Sequence, residues 1–167
     1  MGLNTLLDKI KEKQAVISII GLGRVGLPLS SVLANSGFKV IGIDVDKKRL
    51  ESIRNKICPF FDPPLEENLK KSIISGNFSV SDKIPQNSID VIILTVGTPT
   101  STEGAVDYSQ LYAAINEVCL IDLKERLIIL RSTLPPKTTE EIIIPLLENK
   151  TKLECGKDFA LAVCPER

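Results

Sequence analysis

Residues 15–44 read AVISIIGLGRVGLPLSSVLANSGFKVIGID. An unbroken apolar run, 15–20, enters a loop holding Gly21, Gly23 and Gly26, and a second apolar run, 39–43, stops at Asp44. Apolar runs without polar alternation read as strands buried on both faces of a sheet. The stretch between them reads as a helix through about Asn35, with Gly37 as a natural C-cap. The whole is therefore a strand, a glycine loop, a helix and a second strand. A G-x-G-x-x-G pattern is weak evidence by itself. Here it follows a predicted strand, opens a predicted helix, and is followed by an acidic residue eighteen positions beyond Gly26.

That context gives each residue a physical task. Gly21 permits the tight turn, Gly23 lets the backbone approach a pyrophosphate, and Gly26 lets the helix pack closely on the strand. The helix N-terminus then offers free N–H groups to the anion. Asp44 is placed to accept hydrogen bonds from the adenosine ribose hydroxyls and to repel a 2′-phosphate, which favours NAD over NADP. Lys47, Lys48 and Arg49 pull the other way, because a nearby cation can hold that phosphate; the reading is NAD, with Arg49 near the adenosine. Arg24 and Val25 complete the loop. The Arg24 side chain is expected either along the pyrophosphate or in solvent.

Outward from this unit, residues 1–14 form a leading helical segment and 15–167 a single domain. Helices are predicted at 47–56 and 65–76, with the prolines of CPFFDPP (58–64) between them, and a short strand at 78–80. A strong buried strand, 90–96, leads into an irregular loop, 97–107. Then follow a helix over 108–120, a strand over 126–132, and a helix over 137–149 kinked or broken at Pro145, with a sixth strand at 158–163. Strands alternating with helices imply a parallel sheet covered on both faces. The fold class is α/β: a Rossmann-type, doubly wound, six-stranded parallel sheet of order 3-2-1-4-5-6.

Composition narrows the function. The 167 residues carry 21 Lys+Arg against 21 Asp+Glu and only 4% aromatics, so neither nucleic acid nor an anionic membrane surface is indicated as a partner. No apolar run approaches the roughly 20 residues of a membrane-spanning helix, and a cytoplasmic location is expected. The four cysteines (Cys58, Cys119, Cys155, Cys164) have no CxxC spacing and histidine is absent. Hence no metal site is expected, the cysteines read as reduced structural thiols, and a serine–histidine triad is impossible within the chain.

Five stretches in order, GLGRVGLPLS (21–30), VIGIDVDKKRLESI (40–53), TVGTPTS (95–101) followed by VDYSQL (106–111), LRSTLPPKTTE (130–140) and CPER (164–167), resemble one family. It is the nucleotide-sugar 6-dehydrogenases, which oxidise UDP-hexoses to UDP-hexuronic acids. The resemblance runs from Ala15 to Arg167 and implies an NAD-dependent, two-step oxidation of an alcohol to a carboxylate through an aldehyde held on a cysteine. It implies that Thr98 contacts the cofactor. It further implies that Thr133 lies near the nicotinamide and positions a catalytic water, and that Glu166 acts with this water when a thioester is hydrolysed. Without the resemblance these three read as a turn hydroxyl, a helix N-cap and a surface acid.

Two departures stand out: Arg24 where the family has tyrosine, and Lys137 where PPGTT has glycine, which suggests a changed backbone before the next helix. The family's nucleophile lies in later sequence, so Cys164 is not assigned to catalysis. The resemblance implies a longer protein, a homodimer or higher oligomer, that binds its UDP-sugar through a C-terminal half. The 167-residue chain alone is then expected to be inactive. CPER resembles the UDP-N-acetylhexosamine branch more than UDP-glucose enzymes; its cysteine favours UDP-N-acetylmannosamine, while the leading helix favours UDP-N-acetylglucosamine. Two other readings stand beside it: a stand-alone NAD(H)-sensing module, and another Rossmann dehydrogenase such as a 3-hydroxyacid enzyme, against which RSTLPP and CPER speak.

Overall fold

In the computed structural model, which describes residues 3–86, 89–99 and 106–165, six strands form one sheet of order β3-β2-β1-β4-β5-β6. They are β1 (Val16–Ile20), β2 (Lys39–Ile43), β3 (Phe78–Ser81), β4 (Val91–Leu94), β5 (Leu127–Leu130) and β6 (Ala160–Val163). All five pairings are parallel, so every strand ends at the same edge. The order 3-2-1-4-5-6 reverses direction between β1 and β4. Open α/β sheets bind ligands at that crevice, outside the carboxyl ends of the strands.

The unbroken apolar runs are explained by two cores, one on each face. On the first face Ile17 and Ile19 of β1 and Ile93 of β4 meet Leu27 of α2 (Gly26–Asn35), Leu50 of α3 (Lys47–Arg54) and Leu69 of α4 (Pro63–Ile74). On the second, Ile92, Leu94, Ile128 and Leu130 meet Leu111 and Ile115 of α5 (Ser109–Val118) and Leu147 of α6 (Ile144–Thr151). Alternate residues of β4 thus enter opposite cores, and all four are buried. The leading helix α1 (Leu3–Lys11) is tied to the sheet through Asp90. This carboxylate accepts from the Lys9 ammonium at 2.6 Å and from the Val16 N–H at 2.9 Å.

The strands β4, β5 and β6 are a few residues shorter than the sequence reading, and two helix starts differ from it for a physical reason. Helix α4 starts at Pro63 rather than after the prolines: Asp62 caps it by accepting from the Leu65 N–H at 3.0 Å, and proline is compatible with a first helical turn. The break expected at Pro145 takes the form of a π-helical turn, Thr139–Ile143, leading into α6, with the proline in that helix's first turn. Proline has no N–H to give an upstream carbonyl, and a wider turn before it accommodates the loss.

Candidate functional site

The glycine loop connects β1 to α2 at the carboxyl edge. Gly21 takes φ +96°, and a Cβ there would press against the Thr95 backbone at 3.2 Å. Gly26 is buried; a Cβ there would collide with the Gly21 carbonyl and lie 2.5 Å from the Thr95 hydroxyl. Both glycines are therefore demanded by the turn and by strand–helix contact. Gly23 differs: nothing lies within 4 Å of where its Cβ would be. Of the three loop glycines, the one that the protein's own packing does not require is the one assigned to cofactor approach.

The helix that follows is also left open. Asp46 caps α3 by accepting from the Lys48 and Arg49 N–H groups, and Asp62 caps α4. At the start of α2 the cap position is Val25, which offers no side-chain acceptor. Helix α2 thus starts without a capping side chain; the Leu27 N–H donates to the Gly23 carbonyl at 3.1 Å and Pro28 has no N–H, which leaves the Gly26 N–H of this turn to an anion beside Gly23. An open cradle and an uncapped helix end fit the pyrophosphate of a dinucleotide.

Asp44 closes the other side. It is 6% exposed, and its Oδ2 accepts from the Leu22 N–H at 2.8 Å and from Arg49 Nη1 at 2.7 Å, while Oδ1 accepts from the Asp46 N–H at 2.9 Å. The carboxylate therefore does two things: it fixes the glycine loop, and it retains one Oδ1 acceptor position for a ribose hydroxyl. Arg49 also approaches Asp46 at 3.7 Å, so its guanidinium spans both acids and offsets the charge that would repel a 2′-phosphate. Arg24 is exposed, and its guanidinium sits 5.3 Å from the centre of the Phe60 ring, a cation–π contact between the glycine loop and the α3–α4 connection.

The second group of predicted residues lies after β4 and β5. The Thr98 hydroxyl donates to the Thr133 carbonyl at 2.9 Å, and the Ser132 hydroxyl donates to the Val96 carbonyl at 2.6 Å, so the two loops are joined twice. Thr133 is exposed and is not a helix cap; the π-helical turn has Thr138 at its cap position. Glu166 lies outside the described residues. At the end of β6, Arg131 Nη1 donates to Cys164 Sγ at 3.2 Å. All four cysteines are free thiols, and burial pushes the Cys58, Cys119 and Cys155 thiols up from their ordinary range, away from thiolate reactivity. Lys137 takes φ +68°, in the left-handed region that glycine enters without strain.

The sequence reading passed over Thr95. It follows β4 directly, and its hydroxyl lies 2.6 Å from the Gly21 carbonyl and 3.0 Å from that of Ile20. The available signal was a hydroxyl at the end of an apolar strand, one place from the central strand in the expected order. Among the described residues, no helix is long and apolar enough to cross a membrane.

Comparison with known proteins agrees with this geometry. Residues 15–167 match the sequence profile of the UDP-glucose/GDP-mannose dehydrogenase family, NAD binding domain. A UDP-N-acetyl-D-mannosamine dehydrogenase of Methanococcus aeolicus is 38% identical over 165 residues, covering 96% of this chain and 36% of that protein. A GDP-mannose 6-dehydrogenase of Pseudomonas syringae is 31% identical over 156 residues, covering 90% and 35%. The solved UDP-N-acetylmannosamine dehydrogenase of Pyrococcus horikoshii superposes with a TM-score of 0.86 at 35% identity, over 91% of this chain and 36% of that one. The chain thus spans little more than a third of the length of the relatives it matches. With a doubly wound sheet, an open glycine cradle and a family match over all but its leading helix, this chain belongs to the UDP-glucose/GDP-mannose dehydrogenase family, as its NAD-binding domain.

Proposed function

We propose that residues 15–167 serve as the NAD-binding domain of a 6-dehydrogenase that oxidises the C6 alcohol of a UDP-N-acetylhexosamine, UDP-N-acetyl-D-mannosamine foremost, to a carboxylate. The observation that carries the cofactor part is the empty volume at Gly23 beside an uncapped α2. Gly21, Gly23, Val25 and Gly26 form the pyrophosphate seat. Asp44 receives the adenosine ribose with Arg49 beside it, and Arg24, held by Phe60, borders the loop. NAD, when bound, accepts a hydride in each of two successive oxidations.

Thr98 and Thr133, joined across the carboxyl edge, flank the nicotinamide end, and Thr133 orients a water. Glu166 takes a proton from that water as it attacks the thioester formed on a cysteine of the remaining sequence. The sugar preference rests on the greater identity to UDP-N-acetyl-D-mannosamine dehydrogenase, 38% against 31% for GDP-mannose 6-dehydrogenase. GDP-mannose is the competing substrate.

The test is turnover by the longest protein the gene encodes, with UDP-N-acetyl-D-mannosamine, UDP-N-acetylglucosamine, UDP-glucose and GDP-mannose, each with NAD. Two NADH per sugar, with UDP-N-acetyl-D-mannosamine preferred, is expected; preference for GDP-mannose overturns the assigned substrate. Oxidation of none of the four overturns the reaction class. In the same protein Glu166→Gln is expected to trap a covalent enzyme–sugar adduct visible by intact-mass spectrometry. Normal turnover without adduct removes Glu166 from the chemistry.

A further inference from the structure

We infer that Thr95 is a positioning residue for the cofactor site, holding one peptide unit of the glycine loop in its anion-receiving orientation. The unit is the peptide between Gly21 and Leu22, and it is gripped at both ends. Its carbonyl accepts from the Thr95 hydroxyl at 2.6 Å; its N–H donates to Asp44 Oδ2 at 2.8 Å. Asp44 and Thr95 reach it from opposite sides of β1, from the end of β2 and the end of β4.

The orientation of this peptide matters for an anion. A carbonyl turned toward the open volume at Gly23 would repel a pyrophosphate, whereas a carbonyl tied inward leaves that volume to N–H donors. A free loop at φ +96° has no intrinsic reason to prefer one orientation, because glycine populates several. Thr95 supplies the preference. Its backbone also lies 3.2 Å from where a Gly21 Cβ would stand and its hydroxyl 2.5 Å from where a Gly26 Cβ would stand, so the same residue crowds both glycines, with the Gly21 carbonyl the nearer obstacle at Gly26. The inference rests on the reading of the loop as an NAD site.

The test compares Thr95→Ser, Thr95→Ala and Thr95→Val in the 167-residue chain. NAD affinity is read by calorimetric titration, and loop order by hydrogen exchange of the Leu22 amide. Serine keeps the hydroxyl and is expected to bind NAD within about twofold of wild type. Alanine and valine leave the Gly21 carbonyl without its donor and are expected to weaken NAD about fivefold or more. They should also speed exchange at Leu22. Rescue by serine separates a hydrogen-bonding role from a packing role. If the valine chain does not fold, the serine–alanine pair decides. Alanine binding NAD as well as wild type, or serine binding as weakly as alanine, overturns the assignment. A wild-type chain that binds no NAD overturns the cofactor reading itself, while unchanged exchange at Leu22 in the alanine variant overturns the clamp separately.

Discussion

At the end of β1 the loop 21–26 is defined by its own spacing. Gly21 is required by its turn and by the Thr95 backbone, Gly26 by the Gly21 carbonyl, the third glycine faces open volume, and Asp44 accepts the Leu22 N–H. At the ends of β4 and β5, on the same edge of the same sheet, the arrangement is looser. Two loops are joined by the Thr98 hydroxyl on the Thr133 carbonyl and the Ser132 hydroxyl on the Val96 carbonyl, and Thr133 is exposed. The difference teaches which function each region can hold alone. A dinucleotide pyrophosphate is received by backbone N–H groups, which one βαβ unit supplies. A reacting sugar needs groups converging from several elements, and one loop-to-loop pair is only part of such a set.

The sharpest way to break this comparison is to exchange the tasks of the two inner glycines. Gly26→Ala places a methyl group against the Gly21 carbonyl, where no rotamer relieves the overlap. Chemical denaturation is expected to show a loss of about 3 kcal/mol or more, or no folded protein. Gly23→Val adds its side chain to open volume. Its unfolding free energy is expected within about 1 kcal/mol of wild type, while NAD affinity falls about 30-fold or more. Equal stability losses at both positions would erase the distinction between packing glycine and cofactor glycine.

The glycine loop was legible because its logic is local: a strand, three glycines at fixed spacing and an acid at the next strand end all lie within thirty residues. The sheet order was legible for a related reason, since alternating apolar strands and helices leave few parallel topologies. Thr95 was not, because its partners lie 74 and 75 positions away and nothing near it in sequence marks the contact. The placement of Arg24 was hidden in the same way: Phe60 belongs to a different connection, and a cation after a glycine reads equally as phosphate-facing or solvated. The roles proposed for Thr98, Thr133 and Glu166 came from resemblance alone, because a hydroxyl or an acid past a strand end has no periodicity to reveal it.

Lys137 gives a smaller effect and sharpens the second half of the comparison. A side-chain-bearing residue at φ +68° carries strain that glycine avoids, partly offset by glycine's greater loss of freedom on folding. Lys137→Gly is expected to stabilise the chain by about 0.5 kcal/mol in denaturant unfolding and to leave NAD binding unchanged. Destabilisation would mean that the ion pair of Lys137 with Glu141, at 3.6 Å, outweighs the backbone strain.

The central claim is that this chain receives NAD through the glycine loop and selects it through Asp44. Calorimetric titration of the 167-residue chain with NAD and with NADP tests it most directly. NAD is expected to bind, weakly for a site walled on one side, and about tenfold or more tighter than NADP, because in the proposed reading the Asp44 carboxylate meets the adenosine ribose and repels a 2′-phosphate. Arg49, 2.7 Å from that carboxylate, limits the preference without reversing it. Equal or tighter binding of NADP, or binding of neither dinucleotide, would contradict the claim.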